Sequence, residues 1–217
     1  LLLEAVIFDF DGVIVDTPKI YFRHMKKLLQ KYHAEISDKD ISNLVGRHFE
    51  EELNYINKKY GLDISLSEFV GETINSARED FARLVLEPSL ENLLVELSGF
   101  GVKLAIASNG PKSNIDFIVS RLGIGKYFSV IISGDDVEKY KPFPDVYLAA
   151  VERLGVSKKN CVAIEDTLIG LESARSAGLK VVVIPNEFTV FSDFSSASLV
   201  AKGFNDLTYK VLNGLVV

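Results

Sequence analysis

A single cysteine, Cys161, stands among 217 residues, so the chain can form no internal disulfide, and no Cys/His spacing suggests structural zinc. Both absences agree with a reducing compartment. Six prolines and fifteen glycines leave little room for a long disordered segment. No apolar stretch approaches the roughly 18 residues of a membrane span. The start, Leu1-Leu2-Leu3-Glu4, lacks the basic flank and small-residue cleavage site of a signal peptide, and Asp9 and Asp11 interrupt its apolar run. Positive charge is short as well. With 24 Lys and Arg against 30 Asp and Glu the net charge is −6, and no local basic patch offers a polyanion a landing site. The expectation is a soluble cytoplasmic protein, with neither nucleic acid nor membrane as partner, that folds throughout.

What is present is a globular composition, 47% hydrophobic and 25% charged, in a length that suits a medium domain with a smaller one inserted. The apolar run Leu3 to Phe10 reads as a buried strand. From Thr17 to about Leu86 the pattern is helical. Ile20, Tyr21, His24, Leu28 and Leu29 recur at spacings of three and four, as do Ile41, Leu44 and Val45. A further helix is predicted over Phe49 to Lys59, stopping at Gly61, and another from Leu66 to Phe81. After Glu87-Pro88-Ser89 helices and strands alternate. Helices are predicted over Ser89 to Leu97, Lys112 to Leu122, Asp145 to Leu154 and Leu168 to Ala177, with the strands "VKLAIAS", "FSVIIS", "CVAIED" and "LKVVVI" between them. Beyond Ser192, "ASLVAKGFNDL" reads as a short edge strand followed by a helix to Leu212. Strands too apolar to face water, alternating with helices, indicate an α/β fold with a parallel sheet covered on both faces. The first strand belongs to that sheet although a helical insert follows it. This divides the chain into a core of residues 1–16 and 87–217 and an inserted unit of residues 17–86. The insert balances eleven basic against eleven acidic side chains, so the entire net charge lies in the α/β core.

Part of that charge sits at strand ends. In "VIFDFDGVIVDT" Asp9 and Asp11 are two apart, so an extended backbone points both carboxylates to one side, where one must hold a proton or share a cation. Gly12 then allows a sharp turn. Glu165 and Asp166 end "CVAIED", where Asp166 or Thr167 can also simply cap the next helix. Ligands of a parallel sheet gather at the carboxyl ends of its strands, and a hard cation such as Mg²⁺ uses both acidic pairs at once. Ser108, Asn109 and Gly110 end "VKLAIAS", and Pro111 is placed for a helix start. A hydroxyl and free amides there can cradle phosphate, or Ser108 can be a plain cap. Lys141, stiffened by Pro142 and Pro144 in "EKYKPFPDVY", can neutralise a phosphate, with Lys139 as its competitor.

These pieces, in this order, resemble the haloacid dehalogenase superfamily, in its phosphatase and β-phosphoglucomutase-like branch with a helical cap. "DFDGVIVDT", "IASNG", the Lys141-Pro142 pair and "IEDT" are similar to its four motifs. The resemblance implies a Rossmann-like core with an inserted all-helical cap. It implies Asp9 as nucleophile, Asp11 as general acid and base, and Ser108, Asn109 and Lys141 as phosphate ligands. It further implies Mg²⁺ held by Asp9, the Asp11 carbonyl and Asp166, with Glu165 acting directly or through water. The implied activity is hydrolysis of small phosphorylated metabolites through an aspartyl phosphate, by a monomer or weak homo-oligomer. Within "LVGRHFEEEL", Gly46 and Arg47 match the family's specificity segment; Arg47 can bind a second anionic group or pair with Glu50, Glu51 or Glu52 on a helix face. Tyr21 stands where mutases of this branch carry a histidine, which favours a phosphatase over a mutase. A non-catalytic binding protein on the same scaffold is the remaining alternative.

Overall fold

The computed structural model describes residues 2–216. At its centre β1 (Ala5–Phe8) lies between two parallel neighbours, β2 (Lys103–Ala107) and β4 (Cys161–Glu165). Adding β3 (Phe128–Ile132), β5 (Lys180–Val183) and the short edge strand β6 (Leu199–Val200) completes a six-stranded parallel sheet of order β3-β2-β1-β4-β5-β6. The strand order reverses between β1 and β4. A crevice opens at the carboxyl ends on either side of such a reversal.

Alternation along the strands divides the core. Val6, Phe8, Ile106 and Ile164 face one layer of helices: α6 (Pro88–Gly99), α7 (Lys112–Leu122) and α10 (Tyr209–Val216). Ala5, Ile7, Ala107 and Ala163 face the other, α8 (Asp145–Leu154) and α9 (Leu168–Ser176). Small residues predominate on the second face and let those two helices approach closely. Pro111 and Gly123 bound α7, and Pro144 and Gly155 bound α8, at the limits that these residues predict. Towards the carboxyl terminus the expected edge strand is present. The helix after it starts only at Tyr209 and runs to Val216 rather than ending at Leu212, because Phe204–Asp206 form a separate 3₁₀ turn.

The helical insert has a core of its own. Phe22, Met25, Leu28 and Leu29 from α1 (Thr17–Lys31) pack with Ile41 and Leu44 of α2 (Asp38–Leu44) and with Leu53 and Ile56 of α3 (Phe49–Tyr60). Asp40 ties this unit together. Its buried carboxylate accepts hydrogen bonds from Ser37, Lys59, Tyr55 (2.6 Å) and Tyr60 (2.9 Å); these outweigh its burial and hold it below the usual carboxylate range. The single helix expected from Leu66 to Phe81 is instead three pieces. α4 (Leu66–Phe69) passes into a π-helical turn at Val70–Asn75, and α5 (Arg78–Phe81) follows. The wider turn lies against α1, and beyond it Ala77 and Phe81 pack into the core of the α/β unit.

Candidate active site

Each site residue expected in the core leaves the carboxyl edge of the sheet. The Asp9 N–H still bonds the Ile164 carbonyl (2.9 Å), so pairing with β4 runs one residue past the end of β1 and aims the Asp9 side chain. Gly12 then turns the chain at φ +91°, and a Cβ there would collide with the Asp166 carboxylate. Gly170, in the first turn of α9, likewise leaves room for the Glu165 carboxylate. Thr167 caps α9 through the Gly170 N–H (3.1 Å), which leaves Asp166 out of the cap.

Lys141 is 2% exposed, and all three of its ammonium protons are used: on Asp9 Oδ1 (2.5 Å), Glu165 Oε1 (2.7 Å) and the Ala107 carbonyl (2.9 Å). Burial opposes its charge, but Asp9 and Glu165 more than offset that and hold its pKa above the ordinary lysine value. Lys139 lies over the Phe143 ring instead, so tertiary geometry selects Lys141 of the two. Glu165 is saturated. Oε1 also accepts the Tyr147 hydroxyl (2.5 Å), and Oε2 accepts the Asp166 N–H (3.2 Å) and the Thr167 hydroxyl (3.3 Å).

Asp166 is the opposite case. Its Oδ2 accepts from Asn186 Nδ2 (2.6 Å), while its buried Oδ1 has no partner among the described residues. One oxygen each from Asp9, Glu165 and Asp166 lie within 4.8 Å of one another. Burial, with Asp9 and Glu165 adding, pushes the Asp166 carboxyl well above its usual range. Burial, reinforced by Glu165 and Asp11 against the pull of Lys141, pushes Asp9 up to about 8. A group of buried carboxylates with an orphan oxygen fits a divalent cation, which would supply the missing partner and relieve the repulsion.

The Asp11 carboxylate turns away from that group. It accepts from Thr17 (2.5 Å) and Ser108 (3.0 Å), and burial raises it despite these two bonds. Ser108 is no helix cap: its hydroxyl accepts from the Gly110 N–H (2.9 Å), and the cap position of α7 belongs to Pro111. Asn109 is engaged otherwise than as a side-chain phosphate ligand. Its Oδ1 accepts the Lys141 N–H (2.9 Å) and its Nδ2 donates to the Gly46 carbonyl (2.9 Å), tying the cap to the lysine loop.

Tyr21, Gly46 and Arg47 line one cavity with Asp9, Asp11 and Lys141, an empty space of about 740 Å³ partly open to solvent. The Tyr21 hydroxyl accepts from Asn114 Nδ2 (3.3 Å). Arg47 is 41% exposed; its Nε donates to the Asn43 carbonyl (2.7 Å) and its Nη1 faces Glu51 at 3.5 Å, the helix-face pairing that spacing allows. Beside it His48 stacks on Tyr140 at 3.7 Å between ring centres, joining cap to core. Four residues of the site escape sequence reasoning: Thr17, Tyr147, Asn186 and Glu52. Thr17 is the last residue of "DFDGVIVDT". Asn186 follows β5 at the same sheet edge, a position that could have raised it. Tyr147 and Glu52 carry no local signal, since each looks like an ordinary helix residue.

A profile described as haloacid dehalogenase-like hydrolase matches residues 6–184. A phosphorylated carbohydrates phosphatase of Thermotoga maritima is 32% identical over 179 residues, 82% of this chain and 83% of that protein. A β-phosphoglucomutase of Bacillus subtilis is 31% identical over 223 residues, covering 97% of this chain and 94% of its own. Among solved structures, a β-phosphoglucomutase from Clostridium difficile superposes with a TM-score of 0.87 at 27% identity, over 99% of this chain and 97% of the other. Among the described residues no helix is long and apolar enough to cross a membrane. Sheet order, cap, buried carboxylates and matched residues agree on one assignment: the chain belongs to the haloacid dehalogenase-like hydrolases and is an enzyme of their phosphatase and β-phosphoglucomutase-like branch with a helical cap.

Proposed function

We propose that this enzyme is a Mg²⁺-dependent phosphatase of small phosphorylated metabolites, working through an aspartyl phosphate on Asp9. The observation that carries the reading is the placement of Asp9. Its carboxylate is held on one oxygen by a buried lysine, has an oxygen within 4.8 Å of one from Asp166, and opens onto the cavity under the cap. Asp9, Asp166 and the Asp11 main-chain carbonyl would hold the cation, and Glu165, already saturated by four donors, acts by fixing Lys141. Bound Mg²⁺ supplies positive charge that lowers the repulsion between the carboxylate and a phosphate dianion.

The remaining steps belong to the chain's own groups. Ser108 binds a phosphate oxygen, while Lys141, with its protons on Asp9, Glu165 and the Ala107 carbonyl, attracts the phosphate by its charge and keeps Asp9 Oδ1 turned so that the other oxygen attacks phosphorus in line. The P–O bond to the alcohol breaks as the Asp9 acyl phosphate forms. Asp11, whose carboxyl burial pushes up despite its bonds from Thr17 and Ser108, is placed to give a proton to the departing alkoxide. It then takes a proton from the water that cleaves the aspartyl phosphate, which returns Asp9 and releases inorganic phosphate. Residues 17–86 act as a cap that closes over this chemistry through links near Val13 to Asp16 and Val85 to Ser89.

Mutase relatives invite the alternative that a second sugar hydroxyl, rather than water, takes the phosphoryl group. Tyr21 favours hydrolysis. Burial and Asp11 raise its phenol well above 10, so it stays neutral and cannot take up a proton to restrain Asp11 as an imidazole could. The test is release of inorganic phosphate from p-nitrophenyl phosphate, which should need Mg²⁺ and cease with EDTA. Asp9→Asn should keep the circular dichroism spectrum while turnover falls by about 10³ or more. Undiminished turnover in that variant would remove Asp9 as the nucleophile.

A further inference from the structure

The cavity above Asp9 has two unlike halves. Its floor is polar and comes from the core, whereas the cap presents Pro18, Phe22, Met25, Val45, Phe49 and Ile74. A hydroxyl-rich alcohol seated there would give up bonds to water and find few replacements. The Thr73 hydroxyl already donates to the Phe69 carbonyl (2.6 Å), so the cap offers little beyond the Tyr21 hydroxyl proton and the Glu52 carboxyl. A second anionic group would fare worse. Among the described residues, the cations lining the cavity are Lys141, whose three protons are used inside the core, and Arg47, which is turned to Asn43 and Glu51. Beside them stand the carboxyl groups of Asp9, Asp11 and Glu52, none of which can serve a ligand anion as counter-ion.

We infer that the leaving-group half of the site is built for an uncharged, apolar or aromatic alcohol, so that the preferred substrates are phosphate monoesters without a second anionic group and with few hydroxyls. The inference rests on the phosphatase reading of the Asp9 end and narrows its substrate class. Apolar surface removed from water by the cap wall favours such a ligand. A ligand carboxylate would enter beside Glu52 without a counter-ion. Glu52 itself reports on that environment: burial and then Asp11 push its carboxyl up to about 8 in spite of Arg47, and a ligand anion placed there meets the same burial and the same neighbour.

Phosphonates, which bind without turning over, separate the two halves of the site. Isothermal titration of the wild-type protein in Mg²⁺ would compare methylphosphonate, benzylphosphonate, 4-carboxybenzylphosphonate and 3,4-dihydroxybutylphosphonate. Benzylphosphonate should bind at least about tenfold more tightly than each of the other three, the scale expected for burying most of an aromatic ring. Equal or tighter binding of the carboxylated or the dihydroxylated probe would overturn the inference. So would methylphosphonate and benzylphosphonate binding alike, which would leave the phosphatase reading standing. Absence of binding by all four, methylphosphonate included, would overturn both.

Discussion

Replacing Asp166 with Asn should stabilise the metal-free protein and destabilise it relative to wild type once Mg²⁺ is added. Asp166 is fully buried, its Oδ1 has no hydrogen-bond partner among the described residues, and one of its oxygens lies within 4.8 Å of oxygens of Asp9 and Glu165. Leaving such a group unsatisfied costs about 1–3 kcal/mol. Asparagine has the same shape without the charge: its carbonyl oxygen can keep the bond from Asn186, and its amide can donate towards Asp9. A gain of about 2 kcal/mol is expected, which for a chain of this length is roughly 4–8 °C in Tm. Mg²⁺ at a hundred times its dissociation constant should then stabilise wild type by about 2.7 kcal/mol and the variant hardly at all, so the order of the two melting temperatures reverses. Scanning calorimetry with excess EDTA and with saturating Mg²⁺ reads all four values. A variant that melts below wild type in EDTA, or that gains as much from Mg²⁺ as wild type does, refutes the assignment of the orphan oxygen to a cation.

Asp11→Asn should retain fold and Mg²⁺ binding, because its carboxylate faces Thr17 and Ser108 rather than the acidic group, while turnover falls by roughly 10² to 10⁴. Steady-state phosphate release beside a Mg²⁺ titration checks this, and turnover near wild type would deny Asp11 its proton-transfer role. A third expectation concerns pH. Burial between Phe49 and Tyr140 lowers His48 to about 4 despite Asp135, so below 6.5 the unfolded chain binds a proton that the folded one refuses. Stability is therefore lost as pH falls from about 6.5 to 4, by at most about 3 kcal/mol from this residue. Urea unfolding across that range should show a shallower decline for His48→Gln than for wild type; parallel curves would place the acid sensitivity elsewhere.

Much of this molecule was legible before any coordinates because its signals are local. The limits of α7 and α8 follow from residues adjacent to them, Pro111 and Gly123 or Pro144 and Gly155, and Asp9 and Asp11 share a side because a strand repeats every two residues. The motif order pointed to the family, and the unbroken apolar strands to a sheet covered on both faces. What depends on the packing of distant segments was not legible. Periodicity makes Leu66 to Phe81 one helix, but the π turn at Val70–Asn75 is a departure that lies where the segment packs against α1. Spacing could not choose between Lys139 and Lys141, since the choice is made by Asp9, 132 positions away. Glu165 and Asp166 are adjacent and alike as letters, yet one oxygen pair is saturated by Lys141, Tyr147, Thr167 and a backbone amide while the other includes an orphan. The Asn109 side chain ties Gly46 to Lys141 because the cap settles directly above it. The sequence alone determined which residue types reach the sheet edge. Sheet order and the seating of the cap decided what each one touches, since those partners come from parts of the chain that no local rule connects.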